Sequence, residues 1–252
     1  MKTKRPLLAL LIIILGTSTI GATYLIHTND KPHTYSSSLI TTISVFPTNL
    51  TQYSEIGKTF TVNITITNAN NQYVWQAGMN FNATLLEAIS VEEGPFLKQG
   101  GPTLWTNGTI DNTAGIIHYH ACALAGNVTG VSGNGTLATI TFKVKNYGNV
   151  TLQLTDAIIL NPNLKDTDKT LTQGTVNTKI VGDINGDRKV DVSDLFNLGT
   201  AYGSDSSTPN WNPDCDFNRD DKVDESDLSD LSKNYGKTTE PNLPSFLSSI
   251  LE

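Results

Sequence analysis

The sequence predicts a mostly β protein, in which a β-sandwich is followed by a small helical module with two paired acidic loops. Three observations predict this order. Two near-identical acidic dodecads lie 33 residues apart near the C-terminus. The long stretch before them alternates β-prone runs with Gly and Asn turns and contains no long helical pattern. A basic and then apolar N-terminus precedes both.

The dodecads have the ligand layout of EF-hand calcium loops. They read DINGDRKVDVSD and DFNRDDKVDESD. Oxygen-bearing side chains occupy positions 1, 3, 5, 9 and 12, position 7 supplies a backbone carbonyl, and calcium takes roughly six to eight oxygens. The alternative is an acidic surface that binds no specific ion. We expect two calcium ions, with the ligands Asp183, Asn185, Asp187, Lys189, Asp191 and Asp194 in the first loop and Asp216, Asn218, Asp220, Lys222, Asp224 and Asp227 in the second.

Both loops depart from the EF-hand pattern at position 6. Arg188 and Asp221 stand where glycine usually makes the sharp turn, so weaker calcium affinity is expected. Position 8 is apolar in both copies, Val190 and Val223, which predicts a small core shared by the two loops. Apolar residues at i, i+3 and i+7 after each loop predict two amphipathic helices.

A loop followed by a helix, repeated over residues 182–237, resembles the type I dockerin domain. Asp at position 12 suits that family. The resemblance implies that the module binds a cohesin domain through positions 10 and 11 of each loop and the helix that follows. Those positions hold Val192, Ser193, Glu225 and Ser226. Because position 10 differs between the copies, two equivalent binding orientations are not expected.

Negative charge is concentrated in this module. Residues 181–238 hold 13 acidic and 6 basic side chains, a balance of −7 that equals the net charge of the whole chain. Crowded carboxylates repel one another until cations arrive, and a domain this small buries little apolar surface. We therefore expect residues 181–238 to fold poorly without calcium.

The N-terminus has the layout of a secretory signal. Lys2, Lys4 and Arg5 precede an apolar run that extends with interruptions from Leu7 to Ile26. Residues 1–26 are either a cleaved signal peptide or a membrane anchor, residues 27–38 a linker and residues 239–252 a tail. We expect an extracellular or cell-surface protein. Seven Asn-x-Ser/Thr sequons agree with export, at Asn49, Asn63, Asn82, Asn107, Asn127, Asn134 and Asn149.

Residues 39–180 are predicted to form the sandwich. Across residues 60–67, apolar residues alternate with Thr and Asn, the period-2 pattern of a half-buried strand. Ala83–Ala88 is the only segment that predicts a helical turn. The predicted strands are Phe60–Thr67, Val74–Phe81, Gly115–Ala123, Thr136–Lys145, Asn149–Leu154 and Thr175–Ile180.

Three stretches resemble the cohesin domain, namely GKTFTVNITITN, WQAGMNFNATLLEAISVEEGPFL and GTLATITFKVK. The resemblance covers residues 40–180 and implies a jelly-roll sandwich that binds dockerin domains on one flat sheet face. The residues that it places on or near that face are Val74, Gln76, His118 and His120. A carbohydrate-binding module would give similar strand patterns. Tyr73, Trp75 and Trp105 are a candidate sugar-stacking platform, but aromatic residues that are buried or packed in loops are the more common explanation.

The sequence H-x-H-x-C admits two interpretations. Period 2 puts His118, His120 and Cys122 on one face of a strand. That row is either a zinc or copper site or, as the missing fourth ligand favours, a polar surface that faces a partner. Cys122 and Cys215 lie in different predicted domains, and two free thiols are expected rather than a disulfide.

Binding is expected rather than catalysis, since the sequence has no nucleophile elbow, zinc-protease helix or phosphate loop. We expect an assembly protein whose partners carry cohesin or dockerin domains, linked to polysaccharide binding or breakdown, with no nucleic-acid partner. Only Val181 and Gly182 separate the last strand from the first loop, which disfavours docking in cis and favours head-to-tail self-association. The alternatives are a cell-surface carbohydrate-binding protein with a structural calcium module and a structural surface-layer component.

Overall fold

The computed structural model of the protein describes residues 40–126 and 128–239. The predicted signal or anchor, the linker, the tail beyond Thr239 and the sequon at Asn127 lie outside the described residues. A compact unit begins at Thr41 and contains all the elements below. In the described part of the chain, no helix is long and apolar enough to span a membrane.

Twelve strands in the described ranges form two sheets, which confirms the predicted β-sandwich. They are β1 (Thr41–Phe46), β2 (Asn49–Tyr53), β3 (Thr59–Gln72), β4 (Val74–Asn80), β5 (Leu86–Glu93), β6 (Thr103–Thr106), β7 (Thr109–Asp111), β8 (Ile116–Leu124), β9 (Val131–Val144), β10 (Gly148–Leu160), β11 (Lys169–Thr172) and β12 (Gly174–Lys179). One sheet has the order β11-β1-β3-β9-β5. The other has the order β2-β12-β10-β4-β8-β6, with β7 also paired to β8. The pairs β1–β11 and β2–β12 are parallel and the others antiparallel.

Alternate residues of the long strands build the core between the sheets. On β3, Phe60, Val62, Ile64 and Ile66 are buried and the residues between them are not, which confirms the period-2 prediction. The strand continues to Gln72, beyond its predicted end, because its pairing with β9 resumes after two register shifts.

The short strands β1, β2, β5, β6, β7 and β11 lie outside the predicted strands. The predicted helical turn at Ala83–Ala88 is confirmed only for residues 83–85, where the Asn82 carbonyl accepts from the N–H groups of Leu85 and Leu86, and β5 begins at Leu86. Leu86, Ala88 and Val91 pack in the core. A register shift between Ala88 and Ser90 breaks the alternation and so removes the signal by which a strand is detected.

Two helices follow the acidic loops, α1 (Val192–Ala201) and α2 (Glu225–Asn234), and short 3-10 helices cover Leu97–Gly100 and Pro213–Cys215. Asp191 and Asp224 are the N-caps of α1 and α2, and each forms a capping box with the Asp three residues later. A second hydrophobic core combines residues of both loops and both helices. Val190 and Val223 lie fully buried in this second core, as the sequence predicted.

Side-chain contacts hold this C-terminal module against one end of the sandwich. Tyr53, the last residue of β2, belongs to the second core. Its hydroxyl donates to Asp214 Oδ1 at 3.1 Å, and its ring meets that of Phe217 edge-on at 5.2 Å. Arg219 Nη2 donates to the Thr51 carbonyl at 2.5 Å. The module is therefore fixed to β2 as well as to the chain that leads out of β12.

Candidate functional site

The first and last carboxylates of the first acidic loop are buried at its centre. Asp183 accepts hydrogen bonds from the backbone N–H groups of Gly186 at 2.9 Å and Arg188 at 3.1 Å. Asp194 accepts one from Ile184 N–H at 2.8 Å. These bonds close the loop around two carboxylates, at loop positions 1 and 12.

The second loop repeats this network position for position. Asp216 accepts from the N–H groups of Arg219 at 2.7 Å and Asp221 at 3.0 Å, and Asp227 accepts from Phe217 N–H at 2.8 Å. Asp216 and Asp227 are buried as well. The two dodecads therefore fold into the same loop.

Burial disfavours the charged form of one carboxylate in each loop. Desolvation raises the pKa of Asp183 and of Asp227 above the ordinary value. A buried carboxylate is stabilised by hydrogen bonds, as here, or by a cation. The predicted ligands of both loops can all offer oxygen atoms, which are the ligand atoms that calcium prefers. Among the described residues, no three His, Cys, Asp or Glu side chains converge into a metal-binding cluster. The calcium ligands remain a prediction.

Backbone conformation explains why position 6 usually holds glycine. Arg188 has φ 71° and Asp221 has φ 65°, both in the left-handed region that glycine adopts without a steric penalty. Position 4 is also left-handed, with Gly186 at φ 76° and Arg219 at φ 61°. The first loop thus holds one strained non-glycine residue and the second loop holds two.

Each loop is held in place by the segment that follows the helix of the other repeat. Val190 exchanges backbone hydrogen bonds of 2.8 and 2.9 Å with Gly236 and Lys237, beyond α2. Val223 makes equivalent bonds of 2.8 and 2.9 Å with residues 203 and 204, beyond α1. This reciprocal pairing makes the repeats a single folding unit.

The two helices differ on their outer faces. On α1, Val192 is 65% exposed and Phe196 is 71% exposed, and with Leu195 they form an exposed apolar patch, here called the α1 patch. The positions on α2 that match Val192 and Phe196 hold Glu225 and Ser229. All four residues predicted here to contact a partner are exposed, namely Val192, Ser193, Glu225 and Ser226.

Two β-bulges flank β4 on the outer face of the larger sheet. Tyr119 in β8 and Asp156 in β10 have positive φ, 41° and 49°, where their strands shift register against β4. Gly78 lies between them, and a Cβ there would be 2.8 Å from both Ile117 O and Thr155 Oγ1. Only glycine fits, and the bulges border a depression of about 180 Å³.

The bulge in β8 makes the predicted row of His118, His120 and Cys122 wrong. Alternation reverses at residues 118 and 119, so that Ile117 and Cys122 both join the core. His120 is 5% exposed and lies opposite Ala77, a core residue. His118 instead borders the depression on the outer face. The two histidines therefore cannot share a metal or a partner.

The other residues predicted to face a partner are on the expected side of β4. Val74 and Gln76 alternate with the core residues Trp75 and Ala77 and so lie on the outer side, although both are buried among their neighbours. Trp75 is 2% exposed, and Trp105 packs against it with ring centroids 5.8 Å apart. Trp75 therefore faces the core, as the favoured explanation of buried aromatics predicts, and cannot belong to a sugar-stacking platform.

Both cysteines are free thiols and buried, as expected. Cys122 Sγ donates to Glu93 Oε1 at 3.2 Å, and Glu93 also accepts from Thr103 Oγ1 at 2.6 Å and pairs with Lys98 at 3.2 Å. Burial raises the pKa of Cys122 to about 12, so its thiol stays protonated. This polar cluster is a structural support for β5, β6 and β8.

Sequence reasoning missed Phe196. The predicted apolar face of α1 used Leu195, Leu198 and Tyr202, and of these Leu198 is buried in the second core. Val192 and Phe196, at i and i+4, form a second apolar face. A helix that packs on the core through one face requires only one such face. Apolar residues on two sides of a short helix were the available signal.

Solved structures similar to this chain include several cohesins. A non-cellulosomal cohesin of the archaeon Archaeoglobus fulgidus is 17% identical, with 56% of this chain and 91% of that chain covered and a TM-score of 0.42. The seventh ScaB type I cohesin of Pseudobacteroides cellulosolvens is 21% identical, with 56% and 93% covered and a TM-score of 0.44. The third ScaC cohesin of Acetivibrio cellulolyticus, solved with the ScaB dockerin, is 16% identical, with 55% and 99% covered and a TM-score of 0.45. No curated protein matches the chain.

A protein-family comparison covers all of the larger core except Ile43. The family model described as the cohesin domain matches residues 45–185. The matched span begins within β1, includes β2 to β12 and ends inside the first acidic loop. Because this is more than half of its length, the chain belongs to the cohesin family.

Proposed function

We propose that this chain is an extracellular, non-catalytic assembly protein with two binding surfaces. Its sandwich binds a dockerin-type partner. Its C-terminal module is a dockerin-like domain that binds two calcium ions and docks onto a cohesin-type sandwich through the α1 patch. One observation carries the proposal: a cohesin-family sandwich and a duplicated acidic loop–helix unit with an exposed apolar face occur in the same chain.

The outer face of β4 and β8 is the proposed surface for the dockerin-type partner. Val74 and Ala121 lie on this face but are 0% and 2% exposed, so a partner would contact the depression beside Gly78 rather than these side chains. The depression beside Gly78 adds polar groups from His118 and Asp156 at its border. Polar groups held at fixed positions beside a depression favour specific protein binding.

Calcium binding by the two loops is supported by their matching geometry. The carboxylates at positions 1 and 12 are buried in both loops, and every predicted ligand can offer an oxygen atom to calcium. Two calcium ions would change the balance of charge in residues 181–238 from −7 to −3. That change relieves repulsion among carboxylates, and we therefore assign the ions a stabilising role.

The α1 patch supports docking in a single orientation. Burying a side chain such as Phe196 or Val192 contributes about 1.5–3 kcal/mol. The matching residues of α2, Glu225 and Ser229, contribute little apolar area and would bring a charge to the contact. Reversing the module on its partner would therefore replace an apolar contact by a polar one.

Docking occurs in trans because the module is already attached to its own sandwich. Tyr53, Phe217 and Arg219 hold the second repeat against the end of β2. The α1 patch remains exposed in this arrangement. A chain with both binding surfaces and no docking in cis forms open head-to-tail assemblies.

Calorimetric titration of calcium into the full chain tests the metal assignment. We expect two binding events in the unmodified chain and one in each of the matched variants Asp183→Asn and Asp216→Asn. Absence of binding at millimolar calcium would contradict the proposal for the C-terminal module, while the sandwich surface would be unaffected.

A further inference from the structure

One Asn-x-Thr sequon differs from the others in its side-chain geometry. Asn82 begins the sequence Asn-Ala-Thr in the turn between β4 and β5 and is exposed. Its Oδ1 accepts hydrogen bonds from both the backbone N–H of Thr84, at 2.9 Å, and the Thr84 hydroxyl, at 2.7 Å. The backbone carbonyl of Asn82 accepts from the N–H groups of Leu85 and Leu86. We propose that Asn82 is an N-glycosylation site, with an oligosaccharide attached to its Nδ2.

The bent conformation brings together the two groups that define a sequon. An acceptor requires an asparagine amide and a hydroxyl two residues later, in a surface segment. In Asn82 and Thr84 these groups are already in contact. Since both hydrogen bonds use Oδ1, the Nδ2 amide nitrogen has no hydrogen bond to any described residue and is free to accept the oligosaccharide.

In the other described sequons, the asparagine side chain is hydrogen-bonded outside the sequon or the asparagine lies in a paired strand. Four of them have Oδ1 bonded to a donor outside the sequon, at 2.6 to 2.8 Å. The donors are Thr175 for Asn49, Thr139 for Asn63, Trp105 for Asn107 and Asn68 for Asn134. Asn149 lies in β10 and is paired with β12. A transferase would have to break these pairings before it could bend the backbone.

There is room for a sugar beside Asn82. Asn82 and Thr84 open onto a cleft of about 400 Å³ that is also lined by Tyr147, Asn149 and Arg188. The partly buried ring of Tyr147 offers an aromatic edge, and Arg188 offers hydrogen-bond donors to sugar hydroxyls. The first sugar would therefore lie between the sandwich and the first acidic loop.

The modification is a glycosyl transfer without oxidation or reduction. The co-reactant is an oligosaccharide joined through its anomeric carbon to a lipid-linked phosphate. The Asn82 Nδ2–carbon bond forms as the carbon–oxygen bond to the phosphate breaks. The lipid phosphate leaves with the electron pair, and Nδ2 loses one proton. A transferase of the host carries out this reaction outside the cytoplasm, so the site depends on the export included in the proposed function.

Intact-mass measurement of the full chain tests the site. The chain and its variants are produced in a host that N-glycosylates exported proteins, and the extracellular, surface and internal fractions are all measured. We expect the mass of a glycan on the unmodified chain and its loss in Asn82→Gln and Thr84→Ala. The glycan should remain in Thr84→Ser, which keeps the hydroxyl, and in the control Asn149→Gln.

A bare Asn82 in every fraction would overturn the proposal, as would an unchanged mass in both Asn82→Gln and Thr84→Ala. Thr84→Ser guards against misfolding as the cause of a loss, because it retains the hydrogen bond to Oδ1. The fraction that contains the chain reports on export and the mass reports on the site. The two failures are therefore distinguishable.

Discussion

The two acidic repeats share an interior and differ on their surfaces. Asp183 and Asp216 accept hydrogen bonds from the N–H groups at loop positions 4 and 6, and Asp194 and Asp227 accept them from the N–H groups at positions 2 and 9. On the surface, Val192 and Phe196 of the α1 patch are replaced on α2 by Glu225 and Ser229. The shared interior follows from the requirements of the loop, whereas the outer faces are free to differ. The two repeats therefore have matching interiors, whereas only the first repeat has an exposed apolar outer face.

The repeats also differ in their attachment to the sandwich. The second repeat contacts β2 through a hydrogen bond from Tyr53 to Asp214, the ring contact with Phe217 and the Arg219 bond. The first repeat has one bond to β12, from Lys179 to a loop carbonyl. The repeat with the polar helix is thus the more firmly anchored one. We infer that the second repeat anchors the module and the first repeat docks it.

The largest expected effect tests the shared interior. Asp194→Ala and Asp227→Ala each leave buried N–H groups without an acceptor, which should lower the free energy of unfolding by about 2–4 kcal/mol in either repeat. Denaturant unfolding is measured in saturating calcium, so that the module of each variant is compared with the unmodified chain in its folded form. A large loss of stability in one variant and none in the other would show that the two repeats do not share the same interior.

Removal of calcium should destabilise both repeats. At about a hundred times its dissociation constant, each ion contributes about 2.7 kcal/mol to the folded state. We expect the helical circular dichroism signal to fall when chelator is added and to return with calcium. An unchanged signal would show that the loops fold on their backbone hydrogen bonds alone.

A substitution where β2 contacts the second repeat should lower the stability of the chain. Tyr53→Phe removes the hydroxyl that donates to Asp214 and should cost about 1 kcal/mol. The control Tyr202→Phe changes a half-exposed ring on the docking repeat and should stay within about 0.5 kcal/mol of the unmodified chain. Equal effects of the two variants in thermal unfolding would contradict the assigned roles.

The smallest expected effect concerns the left-handed residues at position 6. Arg188→Gly and Asp221→Gly relieve a conformational cost of about 1–2 kcal/mol. Part of this gain is lost, because glycine raises the conformational entropy of the unfolded chain, which costs about 0.5–1 kcal/mol of stability. We expect a net gain of about 0.5–1 kcal/mol in either loop by denaturant unfolding with calcium present. Lower stability of both variants would show that their side chains support the loops.

Much of the fold could be predicted because its signals are local. The alternation in β3 and the register of the two dodecads are visible in short windows of sequence. The bulge at Tyr119 is not, because it depends on how β8 meets β4, and it reversed the predicted orientation of His120. The contact of Tyr53 with Phe217 joins residues far apart in the chain, and no local pattern indicates it.

The mass of the full chain in solution tests the division between anchoring and docking repeats most directly. With calcium present, light scattering should show a mass that rises with concentration for the unmodified chain. The double variant Val192→Glu, Phe196→Ser, which gives α1 the outer residues of α2, should remain a monomer. The mirror variant Glu225→Val, Ser229→Phe should still associate. A strict monomer in all three, or association that survives loss of the α1 patch, would contradict the account.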